Sequence, residues 1–169
     1  QAQMMDENFI EIPGVVMIDP RKQDEQLKEY GEILFQKRSR KGLTGFEAEY
    51  QMRNRNYFGS MMVEHGKADA FISGLTRNYP IALRPALDCI GMVSTTHRVA
   101  GMHIMMAKSG PVFFADTTVN IDIDEDSVCE MVGLVHDRVK SFQIEPRIAL
   151  ISYSNFGSSA GKYPLMMQK

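Results

Sequence analysis

Two periods of apolar and polar positions divide this chain into strand-like and helix-like segments. Residues 10–20, "IEIPGVVMIDP", read as a short strand closing at an Asp-Pro turn. Residues 21–40 switch to helical spacing, with Leu27, Tyr30, Leu34 and Phe35 in one stripe and charges opposite. Gly42 is the expected stop. "TGFE" is a capping box, Thr44 accepting from the Glu47 amide while Glu47 reaches back, and it opens a helix to about Met52. After a break at residues 54–56, residues 57–65 are helical with Phe58, Met61, Met62 and His65 on adjoining faces and Gly66 as cap.

Residues 68–74, "ADAFISG", predict a short buried strand running into a Ser-Gly turn. Pro80 suits the first turn of the next helix, which continues to about Ile90. Pro85 either lies in its opening turns or divides the segment. Residues 98–107 form a strand, Lys108-Ser109-Gly110 a tight connection, and "PVFFADTTVN" the hairpin partner. Val128, Met131, Val132, Val135, Val139 and Phe142 give residues 127–142 a clear amphipathic helix. Residues 147–153 are the last strand. Alternating strands and helices imply an α/β fold with a three-layer α/β/α sheet. The order strand 113–119, helix 128–142, strand 148–153 is a candidate right-handed crossover. A strand opening into a polar loop normally feeds another helix, and few residues follow Ser159. A longer parent chain, or a terminus lost to disorder, is therefore expected.

Composition narrows this picture only a little. With 169 residues, 44% hydrophobic and 24% charged, the chain can bury one sizeable core. A net charge of −2 gives no sign of a nucleic-acid or anionic-membrane partner. No apolar run approaches the roughly 20 residues of a membrane span. "QAQMMDENF" lacks the basic and apolar regions of a secretory signal, so a cytoplasmic protein is expected. Cys89 and Cys129 sit in apolar segments; a structural pair is possible, but buried free thiols fit better. The thirteen methionines read as adaptable core and interface filler.

Candidate chemistry is sparse. Asp122, Asp124, Glu125 and Asp126 begin like a calcium loop, but Ser127 and Gly133 stand where Gly and Glu are needed. They answer instead the dipole of the following helix. His65, His97, His103 and His136 show no metal-ligand spacing. Ser73-Gly74 lacks the flanking residues of a Walker loop or a nucleophile elbow. Arg38, Arg53, Arg55, Arg77 and Arg84 lie near element ends. Arg77 and Arg84 follow the Ser73-Gly74 turn beside a helix N-terminus, which suits a phosphate or equally a set of surface salt bridges. The loop with Ser152, Ser154 and Asn155 follows a strand directly, where α/β sheets offer N–H and hydroxyl groups to anions.

The motifs "RNRNYFG", "MMVEHGKADAFISG", "LRPAL", "FFADTTVNI" and "EPRIALISYSNFGSS" resemble those of phosphotransacetylases, in order and at similar spacing. "LTRNYPIALRPAL" and "SNFGSS" most resemble the phosphotransacetylase-like domain of bacterial NADP-dependent malic enzymes. The resemblance implies a partial domain with an isocitrate/isopropylmalate dehydrogenase-like fold. Residues 1–66 would end a first α/β/α subdomain with connecting helices. Residues 67–169 would form most of a second, truncated at its C-terminal end.

By the same resemblance, Arg38, three residues before "KG", and Arg84, in "LRPAL", line a cleft for phosphate or for the phosphates of coenzyme A. Ser152, Ser154 and Asn155 would sit near that cleft. The family's catalytic aspartate, serine and further arginine lie in a later segment this sequence does not contain. No catalytic residue and no metal ligand is therefore expected here. The implied role is an acetyl-CoA-sensing, oligomer-forming regulatory domain. NADP and Mg or Mn would belong to the rest of the malic enzyme chain. An active phosphate acetyltransferase, or a scaffold that binds no ligand, are the alternatives.

Overall fold

The computed structural model describes residues 13–94, 96–155 and 157–168. The chain divides into two compact units, one up to Gly91 and one from Met92. The boundary expected at 66/67 falls inside the first unit.

The first unit is helical. Asp19 accepts from the Arg21 amide at 3.1 Å and caps a short 3-10 turn, as the Asp-Pro pair suggested. Helices α1 (Asp24–Arg38), α2 (Gly45–Met52), α3 (Arg55–Glu64) and α4 (Tyr79–Cys89) follow. Leu27, Tyr30 and Leu34 of α1 are buried against Ala48, Met52, Phe58, Met61 and Cys89. Their spacing of three and four residues puts them on one face. The Tyr30 ring packs 5.3 Å from Phe58 and edge-on to His65 at 5.7 Å. α1 and α2 cross closely at Gly31, where an added Cβ would stand 2.8 Å from the Glu49 Cα.

The turns follow the local chemistry. Gly42 takes φ 89° and releases the chain after a 3-10 turn. Thr44 and Glu47 form both arms of the capping box. Gly66, at φ 68°, ends α3 with Gly66 N–H donating to Val63 O and Lys67 N–H to Met62 O, a Schellman pair. Pro80 stands in the first turn of α4. Pro85 lies inside α4 and is buried, so it neither opens nor divides the helix.

In the second unit β1 (Met102–Ala107) and β2 (Gly110–Ala115) form an antiparallel hairpin, with Ala107 paired to Gly110 across Lys108-Ser109. Helix α5 (Glu125–Ser141) begins at an Asp124 cap, with Glu125 and Asp126 in its first turn. Its buried face carries Ser127, Val128, Met131 and Val139. A short α6 (Lys162–Met166) follows.

The mixed α/β class holds, but the described residues pair only two strands. Residues 68–74 and 147–153 have no ladder partners, and are mostly exposed rather than buried. Residues 13–14 form a turn and 15–18 are exposed without ladder partners; residues 10–12 of that expected strand lie outside the described ones. The crossover from β2 through α5 is therefore not closed by pairing. A strand exists only where a neighbour meets its N–H and C=O groups, and no described segment does so here. Both cysteines are free; Cys89 is buried as expected, whereas Cys129 is exposed.

Candidate functional site

The C-terminus of α1, the turn at Gly42, α2 and α4 enclose a cleft of about 510 Å³ in the first unit. Leu34 and Leu43 are its apolar lining. Arg38, Lys41 and Arg84 supply positive charge, Glu47 and Asp88 negative charge. Phe46 and Tyr50 stand exposed at the same cleft, stacked at 6.4 Å and 18°. The Glu47 carboxylate is occupied by Thr44, accepting from its N–H at 3.0 Å and its Oγ1 at 2.7 Å. Those two bonds hold it below the usual carboxylate range.

The two arginines differ sharply. Arg38 Nε donates to Asp88 O at 3.0 Å, Nη2 donates to Leu87 O, and Nη2 pairs with Asp88 Oδ1 at 3.3 Å. Its guanidinium thus caps the end of α4, where carbonyls lack helical partners. The Arg84 side chain is 81% exposed and pairs through Nε with Asp88 Oδ2 at 3.6 Å. Arg84 is the sixth residue of α4 and reaches toward its C-terminus, so it is not part of an N-terminal anion site with Arg77.

Asp88 is the meeting point. Tyr57 O–H also donates to its Oδ2 at 2.9 Å. Next to it, Lys37 donates to Cys89 O at 2.7 Å and pairs with Glu64. Burial, then the hydrogen bond to Asp88, raises Tyr57 well above its ordinary value. Burial, then the Asp88 charge, pushes the Cys89 thiol up to about 12. That excludes Cys89 as a thiolate nucleophile near neutral pH.

A pH dependence follows. An unfolded chain releases the Cys89 proton near its ordinary 9.0, whereas the native chain holds it to about 12. Between those values the unfolded state binds fewer protons, so stability falls as pH rises. Urea midpoints should decline over this range, and Cys89→Ala should make the decline shallower. An unchanged slope in that variant would mean that the native thiol ionises normally.

The remaining expected residues lie elsewhere. Ser73 Oγ donates to the buried Asn56 Oδ1 at 2.8 Å, Gly74 adopts φ 120°, and the Arg77 amide closes a turn onto Gly74 O at 3.4 Å. Asn78 caps α4 itself, accepting from the Ile81 amide at 3.2 Å. None of Ser73, Gly74 and Arg77 lines the cleft.

In the second unit Ser152 Oγ accepts from the Ser154 amide at 3.4 Å, and Ser154 Oγ from the Ser159 amide at 3.1 Å. The Asn155 amide donates to Ser158 Oγ at 3.2 Å. This loop folds on its own hydroxyls. In the "DTTVN" motif Asp116, at φ 53°, accepts from the Asn120 amide and Nδ2 at 3.3 and 2.7 Å, and Asn120 Nδ2 also donates to Val99 O at 3.1 Å. Lys41, Phe46, Tyr50 and Asp88 were not singled out from sequence. The i, i+4 spacing of Arg84 and Asp88 was the one available signal.

Comparison with known proteins gives this arrangement a context. The family model described as "Phosphate acetyl/butaryl transferase" matches residues 1–169. The chain belongs to this family. The NADP-dependent malic enzyme of Escherichia coli (strain K12) is 36% identical over 137 residues, 80% of this chain and 18% of that protein. The phosphate acetyltransferase of Bacillus subtilis (strain 168) is 32% identical over 146 residues, 86% of this chain and 45% of that one. The chain thus spans less than half the length of either relative. The EutD phosphotransacetylase from Staphylococcus aureus superposes with a TM-score of 0.76 at 26% identity, covering 99% of this chain and 50% of that one. A phosphotransacetylase from Streptococcus pyogenes gives 0.73 at 28% identity. The likeness extends over a partial phosphotransacetylase domain, as the motifs implied. Among the described residues no helix is long and apolar enough to cross a membrane.

Proposed function

We propose that this chain is the acetyl-CoA-binding part of a regulatory domain in an NADP-dependent malic enzyme. The observation that carries the reading is the cleft itself. Lys41 and the exposed Arg84 suit phosphate groups, and the stacked Phe46 and Tyr50 suit a planar ring, so an acyl-CoA meets both. Identity to a malic enzyme over 80% of the chain supports the parent. That parent would convert malate and NADP to pyruvate, CO2 and NADPH. NADP and Mg or Mn would belong to the rest of that parent. Acetyl-CoA would regulate by binding the less active state more tightly than the active one. The homo-oligomer and the cytoplasmic location belong to the same proposal.

Phosphate acetyltransferases match 86–94% of the chain, which supports a transferase parent as the second reading. One set of assays separates the two. Malate-dependent NADP reduction by the full-length protein should be inhibited by acetyl-CoA. Arg84→Ala should raise the acetyl-CoA concentration needed by about tenfold, the size of one charge-assisted contact. Malate oxidation indifferent to acetyl-CoA would leave the domain a scaffold. Acetyl transfer from acetyl phosphate to coenzyme A without malate oxidation would establish the transferase.

A further inference from the structure

Asp88 stands where helix electrostatics disfavours it. It is the penultimate residue of α4, beside the negative end of the helix dipole, and it follows rather than precedes its cationic i, i+4 partner. Its carboxylate is largely covered and has three partners on three helices: Arg38 from α1, Tyr57 from α3 and Arg84 from α4 itself. Arg38 and Tyr57 fix the carboxylate. Of the three partners only Arg84 is exposed, and it is engaged at Nε alone, at 3.6 Å. Among the described residues Nη1 and Nη2 of Arg84 make no hydrogen bond. Those two nitrogens form the edge that grips a phosphate bidentately.

We propose that Asp88 is a positioning residue for the cleft. It holds Arg84 at Nε so that Nη1 and Nη2 stay presented to an anion, and it ties that arginine to the fixed core through Arg38 and Tyr57. The proposal deepens the acyl-CoA reading and rests on it for the ligand. An unanchored arginine on an exposed helix would lose side-chain freedom on binding; one already held loses less.

The test is a double-mutant cycle in the full-length protein, with acetyl-CoA and inorganic phosphate as calorimetric probes. Asp88→Asn keeps the shape and removes the charge. It should weaken acetyl-CoA about three- to tenfold in the wild-type background and change nothing in the Arg84→Ala background. Equal weakening in both backgrounds would overturn the proposal, because Asp88 would then act on the fold alone. Tighter binding in Asp88→Asn would also overturn it, making the carboxylate a competitor for the arginine.

Crystal structures of the wild-type and Asp88→Asn proteins test the positioning without any ligand. The Arg84 guanidinium should be ordered in the first and dispersed in the second; an equally ordered guanidinium in both would refute the proposal. If neither probe binds the wild type yet Arg84 is ordered only with Asp88, the positioning holds and the acyl-CoA reading fails.

Discussion

Leu34→Ala should lower the unfolding free energy of the first unit by about 2–5 kcal/mol, the range for emptying a closed apolar site. Leu34 has 0% exposure and packs in the cluster that joins all four helices of that unit. Lost transfer energy and a residual cavity act together, because α1 is fixed against α2 at Gly31 and cannot settle inward freely. The urea midpoint should fall while the denaturant slope stays unchanged. Leu75 is fully exposed, so Leu75→Ala is the control and should lie within about 0.5 kcal/mol of the parent. A Leu34→Ala loss no larger than that control would mean the four helices do not pack as described. The consequence reaches the cleft as well. Leu34 lines it and precedes Arg38 by one helical turn, so core packing sets where the arginine stem leaves α1.

The features legible in the sequence are those closed by a few neighbouring residues. The Thr44–Glu47 box, the αL glycines at 42 and 66, and the α1 stripe of Leu27, Tyr30 and Leu34 each follow from side chains within a turn or two. The β1–β2 hairpin was legible for the same reason, its register being set by a two-residue turn. Residues 68–74 and 147–153 have strand-like sequences, but pairing depends on a distant neighbour that no local pattern supplies. The cleft was half legible. Arg38 and Arg84 were picked out by motif, and the structure brings both to one cleft. Their different duties were hidden, because they depend on Asp88 and Tyr57, which meet only when α1, α3 and α4 pack. Ser73, Gly74 and Arg77 were grouped with them by adjacency in the chain, although α4 carries Arg84 away from its own N-terminus.

Arg38→Ala should destabilise the first unit by about 2–4 kcal/mol, and Arg84→Ala by no more than about 0.5 kcal/mol. Both arginines pair with Asp88, yet their surroundings differ. The Arg38 side chain is 19% exposed and donates to the Leu87 and Asp88 carbonyls; that of Arg84 is 81% exposed with a single long pairing. Removing Arg38 leaves two helix-end carbonyls and a largely covered carboxylate short of a partner, which is the costly direction for such a pair. Arg38→Lys should recover less than half of the loss, since one ammonium cannot reproduce a fork that serves two carbonyls and a carboxylate. Urea unfolding of the three variants at low and high salt is the decisive measurement. The Arg38 effect should persist in salt, because covered partners are weakly screened. If Arg38→Ala leaves stability untouched and abolishes acetyl-CoA binding, Arg38 is a ligand arm like Arg84. If it destabilises the helices as expected, loss of binding in that variant says nothing about contact with the ligand. The cleft then has a strut in Arg38 and an arm in Arg84, two arginines whose equal charge hides the difference in the sequence.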